Sequence, residues 1–160
     1  MEYDNEENGF ISVPAPEFGA IFMSNIATKR DCFKHKVFGL LSSMANFVKE
    51  VKKGMILFLF DYERRQLFGV YWAISGGGMN IVPHAYSSSG KQFSVQVRIV
   101  PIWYYSPLSE NEFRDAIREN YFSARKFHFG LSDEQVHKLL RLFSSRKLKN
   151  KLPREVSQLE

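Results

Sequence analysis

The run Lys52-Lys53-Gly54-Met55-Ile56-Leu57-Phe58-Leu59-Phe60-Asp61-Tyr62, followed after a charged turn by Leu67-Phe68-Gly69-Val70-Tyr71-Trp72-Ala73-Ile74, constrains the fold of this chain more than any other feature. The first segment is apolar at consecutive positions between a Lys-Gly break and a charged turn, the length and pattern of one strand buried on both faces. The second is rich in aromatic and β-branched side chains that suit a pleated, packed surface, and Asp61 to Gln66 supplies a polar connection. Together they predict a hairpin at the centre of a sheet.

A chain of 160 residues reads as one domain, large enough to bury roughly two-thirds of its unfolded surface without disulfides or metals. Its 44% hydrophobic and 15% aromatic content excludes a disordered chain for most of the length. No apolar run approaches the ~20 residues of a membrane span, so membrane insertion is not expected. Met1 to Gly9 lacks the basic start and apolar run of a secretory signal, and the single cysteine, Cys32, excludes an internal disulfide framework. A reducing compartment, cytoplasmic and/or nuclear, is the expectation.

The net charge of +5 conceals a segregation. Residues 1–28 hold five acids (Glu2, Asp4, Glu6, Glu7, Glu17) and no Lys or Arg, so the remainder carries +10. Part of that excess sits in Arg141, Arg146, Lys147, Lys149, Lys151 and Arg154. Such a run can contact phosphates or an acidic partner; as a solvated helix end, its cations complement the helix dipole.

Residues 1–17, with acids, Asn, Gly and Pro14-Ala15-Pro16, read as a flexible acidic leader, 18–145 as the domain, and 146–160 as a basic then polar tail. Gly19 to Asn25 predicts a first strand. Thr28 with Asp31 predicts a helix start capped by Thr28, with a short helix or turn over Lys29 to His35. Val37-Phe38-Gly39-Leu40-Leu41 reads as a strand end or loop presenting Phe38. Gly76 to Gly90 has loop composition, and its Gly triplet lacks the Lys-Ser/Thr pair of a phosphate loop. Phe93 to Trp103 alternates apolar and polar residues, predicting a long half-exposed strand. Capping-box spacings at Ser109/Glu112 and Ser132/Gln135 predict a helix over about 110–118 and another carrying the stripe Val136, Leu139, Leu140, Phe143, which should pack on the sheet. This order predicts a single α+β domain: a strongly curved, mostly antiparallel sheet or small barrel flanked by helices.

No catalytic constellation emerges. Cys32 and His35 could supply two zinc ligands, but His84, His128 and His137 are scattered without paired spacing, and no nucleophile elbow or reactive-cysteine signature is present. Turn and cap roles account for Asp61, Glu63, Glu110 and Glu112. The chain therefore reads as a non-enzyme without metal or cofactor. Aromatics near strand ends and loops stand out instead: Phe38, Tyr71, Trp72, Tyr86, Trp103, Tyr104 and Tyr105. With nearby cations such rings can stack on unpaired bases; equally, they can fill the core of a small sheet. For Trp72 and Trp103 the core reading is favoured, while for Phe38 and Tyr86 both roles stay open. Phe38, Tyr86, Trp72 and Trp103 are the candidate pocket residues, and Lys34, Lys36, Lys91, Arg98, Arg146 and Lys147 the candidate basic contacts.

The motif order resembles the plant DCD (development and cell death) domain family from about Phe18 to Phe143. The resemblance rests on Gly19-Ala20-Ile21-Phe22-Met23-Ser24-Asn25 with Thr28 and Cys32; on Val37-Phe38-Gly39-Leu40-Leu41, where the family usually has Phe-Gly-Leu-Pro; and on Leu57-Phe58-Leu59 with Asp61. It continues through Phe93-Ser94-Val95-Gln96-Val97-Arg98, where the family usually has Pro-Ala-Gln-Val, then Pro107-Leu108-Ser109-Glu110, Lys126-Phe127, Leu131-Ser132 and Gln135-Val136. Leu41 replaces the proline and Ser94-Val95 replaces Pro-Ala, swaps that alter local rigidity without adding charge. The resemblance implies a non-catalytic interaction module in development, stress responses, the hypersensitive response and programmed cell death, with a protein partner.

A more distant resemblance is to YTH and related PUA-like readers of modified nucleic acid, whose Phe-x-Gly-Val/Phe step is similar to Gln66-Leu67-Phe68-Gly69-Val70. In those readers a Trp cage holds a methylated adenine. The first cage position falls near Phe38 and a second near Tyr86, so the Trp pair is absent and methyl-base reading is not implied. What this resemblance implies is a single-stranded RNA or modified-nucleotide reader, with RNA as the alternative partner. Oligomeric state is left open.

Overall fold

The computed structural model describes residues 16–87 and 93–146. Its strands are β1 (Gly19–Ser24), β2 (Val37–Leu40), β3 (Ile56–Asp61), β4 (Gln66–Ala73), β5 (Gly78–Met79), β6 (Val95–Pro101), β7 (Leu108–Ser109) and β8 (Gly130–Leu131). The helices are α1 (Ile26–His35), α2 (Ala45–Lys49), α3 (Glu110–Phe113) and α4 (Asp133–Ser144), with 3-10 turns at Ser42–Met44 and Arg114–Asn120. The strands form one sheet in the order β2-β6-β4-β3-β1-β8, with β5 beside β6 and β7 beside β4.

The expected hairpin is its centre. β3 and β4 pair antiparallel, Ile56 opposite Trp72 and Asp61 opposite Gln66, with an irregularity between Leu57 and Leu59. The turn is held by Asp61, whose buried carboxylate accepts hydrogen bonds from the backbone N–H groups of Glu63 (3.0 Å) and Arg64 (3.1 Å) and from Lys29 Nζ (3.1 Å). Charge and backbone donors together satisfy an acid that burial would otherwise penalise. β1 joins the other edge of β3 in parallel, which is why a helical crossover must separate them in the chain. The pairings of β2 with β6, β6 with β4 and β8 with β1 are antiparallel.

Curvature brings distant strands together. β1 and β2 are separated along the sheet by β6, β4 and β3, yet the rings of Phe22 and Phe38 lie 5.7 Å apart, with Tyr71 5.1 Å from Phe38. These rings therefore fill the concave face of a half-barrel. Leu57, opposite Tyr71, shares that face, so its neighbours Ile56 and Phe58 point to the convex one. There α4 lies across the sheet: Phe143 stacks on Phe58 at 5.7 Å and 11° between ring planes. A side chain at Gly69 would stand 2.8 Å from Phe58 and 3.1 Å from Phe143, so this close approach requires glycine. Val136, Leu139 and Phe143, the buried stripe of α4, contribute about 1.5–3 kcal/mol each by leaving water.

Several boundaries differ from the sequence reading. The cap of α1 is Asn25, whose Oδ1 accepts from Thr28 N at 2.8 Å; Thr28 is the reciprocal partner, its Oγ1 accepting from Asn25 N at 2.9 Å. The helix thus begins at Ile26, a turn earlier than Thr28 suggested. Residues 37–40 are a paired strand, and Phe38 is buried rather than presented by a loop. The Gly76–Gly90 stretch contains β5, and β6 is shorter and less exposed than its alternation implied. Gln96 sits on the nominally polar face but is buried, its amide group accepting from Val82 N (2.7 Å) and donating to Val82 O (3.2 Å) and Phe93 O (3.0 Å). Only α3 is helical in the 110–118 region; the chain tightens to 3-10 geometry and breaks at Ile117. Both capping boxes, at Ser109/Glu112 and Ser132/Gln135, are present. Residues 1–15 and 147–160, with most of the expected leader and tail, lie outside the described residues.

Candidate functional site

The four candidate rings do not converge. Alternation along β2 sends Phe38 to the concave face and Val37 and Gly39 to the other. Tyr86 packs on that second side: a side chain at Gly39 would stand 2.9 Å from its Cε2, and its hydroxyl donates to Val37 O at 3.4 Å. The hydroxyl also lies 3.2 Å from Cys32 Sγ on α1, and Phe93 packs edge-on at 5.0 Å. Phe38 is 0% exposed and Tyr86 4%. A pocket lined jointly by Phe38 and Tyr86 is thus replaced by two separate packing clusters on opposite faces of one strand.

Burial sets the chemistry of this second cluster. It pushes the Cys32 thiol up to about 12, against the smaller opposing effect of the Tyr86 hydrogen bond. Burial likewise raises the Tyr86 phenol well above its ordinary value, with Cys32 adding to the effect. Both groups stay protonated near neutrality, so Cys32 is a packing residue rather than a nucleophile.

Trp72 is different. The core reading favoured for it is corrected: it is 46% exposed, near the C-terminal end of β4 on the convex face. The register places Ile56 and Val100 on either side of it, and Gly19 beyond Ile56, making one row across four strands. Ile56 and Val100 are half-buried, while Ile74, just past the end of β4, is 42% exposed. Arg98 lies alongside: it is exposed, and its carbonyl accepts from Ile74 N at 2.8 Å. Lys52 and Lys53 are exposed in the turn that Gly54, at a left-handed φ of 96°, ties to Ala73 O by a 2.7 Å hydrogen bond. An indole flanked by aliphatic side chains and cations on a rigid central strand can stack on a planar group while its neighbours neutralise negative charge.

The remaining candidates have other positions. Trp103 is half-buried just after β6. Lys34 is exposed on α1, and Lys36 closes that helix with its amine donating to Phe33 O at 2.9 Å. Arg146 pairs with Glu112, so it is an internal ion pair rather than a free contact. Lys91 and Lys147 lie outside the described residues.

The acids of the β4–α3 region are structural. Arg65 grips Glu110 with two hydrogen bonds, 2.9 and 2.8 Å, and Tyr121 donates to it at 2.7 Å. Burial pushes the Glu110 carboxyl up, but these bonds and the charges of Arg65 and Arg114 outweigh it, holding it below the usual carboxylate range. At the other edge of the sheet, Glu17, Glu119, Glu134, Asn120, Gln135 and Ser132 help line a cavity of about 570 Å³. Its carboxylates disfavour anions there. Its residues come from three separate segments, so no local pattern marks this cavity along the chain.

A half-barrel with α4 on its convex face and Phe47 of α2 against Phe22 on its concave one is a PUA/YTH-like fold. Residues 18–143 match the family described as the development and cell death domain, and the chain belongs to that family. It is 33% identical to the B2 protein of Daucus carota over 133 residues, covering 81% of this chain and 63% of that protein. It is also 33% identical to the DCD domain-containing protein NRP of Arabidopsis thaliana, covering 79% of this chain and 37% of that one. The chain thus spans less than two thirds of each relative. In three dimensions it resembles the YTH domain of the Zygosaccharomyces rouxii MRB1 protein, solved in complex with N6-methyladenosine RNA, with a TM-score of 0.57 at 11% identity over 88% of this chain and 96% of that one.

Proposed function

We propose that this domain is a non-catalytic interaction module acting in plant development, stress responses, the hypersensitive response and programmed cell death signalling, in the cytoplasm, the nucleus or both. The observation that carries this reading is the uneven cover of the convex face: α4 seals Phe58 and Gly69, while Trp72 and Ile74 stand in solvent on the same surface. The non-catalytic part is supported by the structural work already assigned to Cys32, Asp61, Glu110 and Glu112. Among the described residues, no helix is long and apolar enough to cross a membrane. Membership of the family supports the biological setting.

The test uses the whole chain as bait in a plant extract, comparing wild type with Trp72→Ala/Ile74→Ser and with Phe122→Ala as a surface control. At least one captured protein is expected to disappear with the first variant and persist with the control. Identical captures from all three chains overturn the reading. A fluorescently tagged chain, imaged in plant cells, checks the compartment.

A second reading, recognition of single-stranded RNA, is supported by the YTH-like fold. It does not extend to a methyl-adenine cage, because Phe38, at the expected cage position, is sealed in the core. Titration with adenosine- and N6-methyladenosine-containing RNA is expected to show equal affinities; a clear methyl preference contradicts this form of the reading.

A further inference from the structure

We propose that the convex face centred on Trp72 is a stacking surface for single-stranded RNA, with a base on the indole and phosphates on Arg98, Lys52 and Lys53. The proposal rests on the RNA reading above and gives it a location away from the expected pocket. Trp72 sits on β4, an interior strand of the sheet, and is flanked in register by Ile56 and Val100, so the ring's position is set by the sheet rather than by a loop. Its exposure leaves an aromatic surface open to a ligand.

Charge selects the occupant. Arg98 is on the neighbouring strand, two residues along from Val100 in the Trp72–Val100 pair and so on the same face, and the Lys52-Lys53 turn closes the same end of the sheet. Among the described residues, none of these three side chains is tied up by a carboxylate, in contrast to Lys29, Arg65, Arg114 and Arg146. The carboxylates of the cavity at the β8 edge repel a polyanion from that side, which directs it to the Trp72 end. A polyanion with planar groups satisfies both halves of this surface; an acidic peptide satisfies only the cations.

The test is fluorescence anisotropy of the whole chain with a labelled oligoadenylate of about ten nucleotides, at about 50 and 200 mM salt. Trp72→Ala is expected to weaken binding roughly 5- to 150-fold, the loss of one stacked base, while Trp72→Phe retains most of the affinity. Arg98→Gln is expected to lower the salt dependence by about one phosphate contact. Thermal unfolding of each variant verifies that the fold is intact. Unchanged binding by Trp72→Ala and Arg98→Gln places the RNA elsewhere and overturns this proposal while leaving the RNA reading standing. Absence of binding at low salt overturns both. Displacement by polyglutamate combined with indifference to Trp72→Ala reduces the surface to charge alone and also overturns it.

Discussion

Phe38 and Trp72 are both large aromatic residues on strands of one sheet, and they have opposite fates. Phe38 faces the concave side, where Phe22 and Tyr71 close over it; Trp72 faces the convex side, past the reach of α4. Chemistry alone does not separate a core ring from a binding ring. What separates them is which face the register assigns and whether another element covers it.

The comparison can be broken most forcefully at Phe38. Phe38→Ala is expected to cost about 3–5 kcal/mol in chemical denaturation, the penalty for a cavity at the centre of the half-barrel. A loss near that of a surface substitution would return Phe38 to the list of ligand-facing rings. Gly39→Ala tests the opposite face of the same strand. Its Cβ would meet Tyr86 Cε2 at 2.9 Å and Phe93 O at 3.0 Å, so about 1–3 kcal/mol of overpacking is expected. Combined with Tyr86→Ala, the loss should be clearly less than the sum, because the second change vacates the space the first needs.

Cys32 gives the buried cluster a pH signature that the Trp72 face lacks. Its folded value of about 12 lies above the ordinary 9.0, so the unfolded chain sheds the thiol proton first as pH rises. Stability from this group is complete below pH 9 and falls by about 1 kcal/mol per pH unit above it, until the folded thiol also ionises. Denaturation curves from pH 8 to about 10.5 should show this slope in the wild type and a shallower one in Cys32→Ala. The smallest effect is expected at Trp72: Trp72→Ala should change stability by about 0.5 kcal/mol or less, as for other surface positions. A loss of several kcal/mol would show that the ring supports the fold and weaken its assignment to binding.

Much of the architecture was legible before any coordinates. The hairpin, β1, both capping boxes and the apolar stripe of α4 are local patterns, in which neighbouring residues carry the signal. Misreadings arose where a contact came from far along the chain. Gln96 reads as a solvent-facing residue until Val82 satisfies its amide, and Arg146 reads as a free cation until Glu112 claims it. The aromatic strand pattern places Trp72 in the core, whereas α4 covers Phe58 and Gly69 and leaves Trp72 exposed.

By itself, the sequence determined that this chain folds as one α+β domain around a β3–β4 hairpin, and its motif order carried the family. Those properties follow from local periodicity, turn chemistry and residue order, all written along the chain. Only the tertiary structure decided that Phe38 and Tyr86 occupy opposite sides of β2 and that Trp72 joins Arg98 on an open face. The reason is physical: strand register assigns each side chain to a face in alternation, but sheet curvature and the placement of α4 decide which faces are sealed from water.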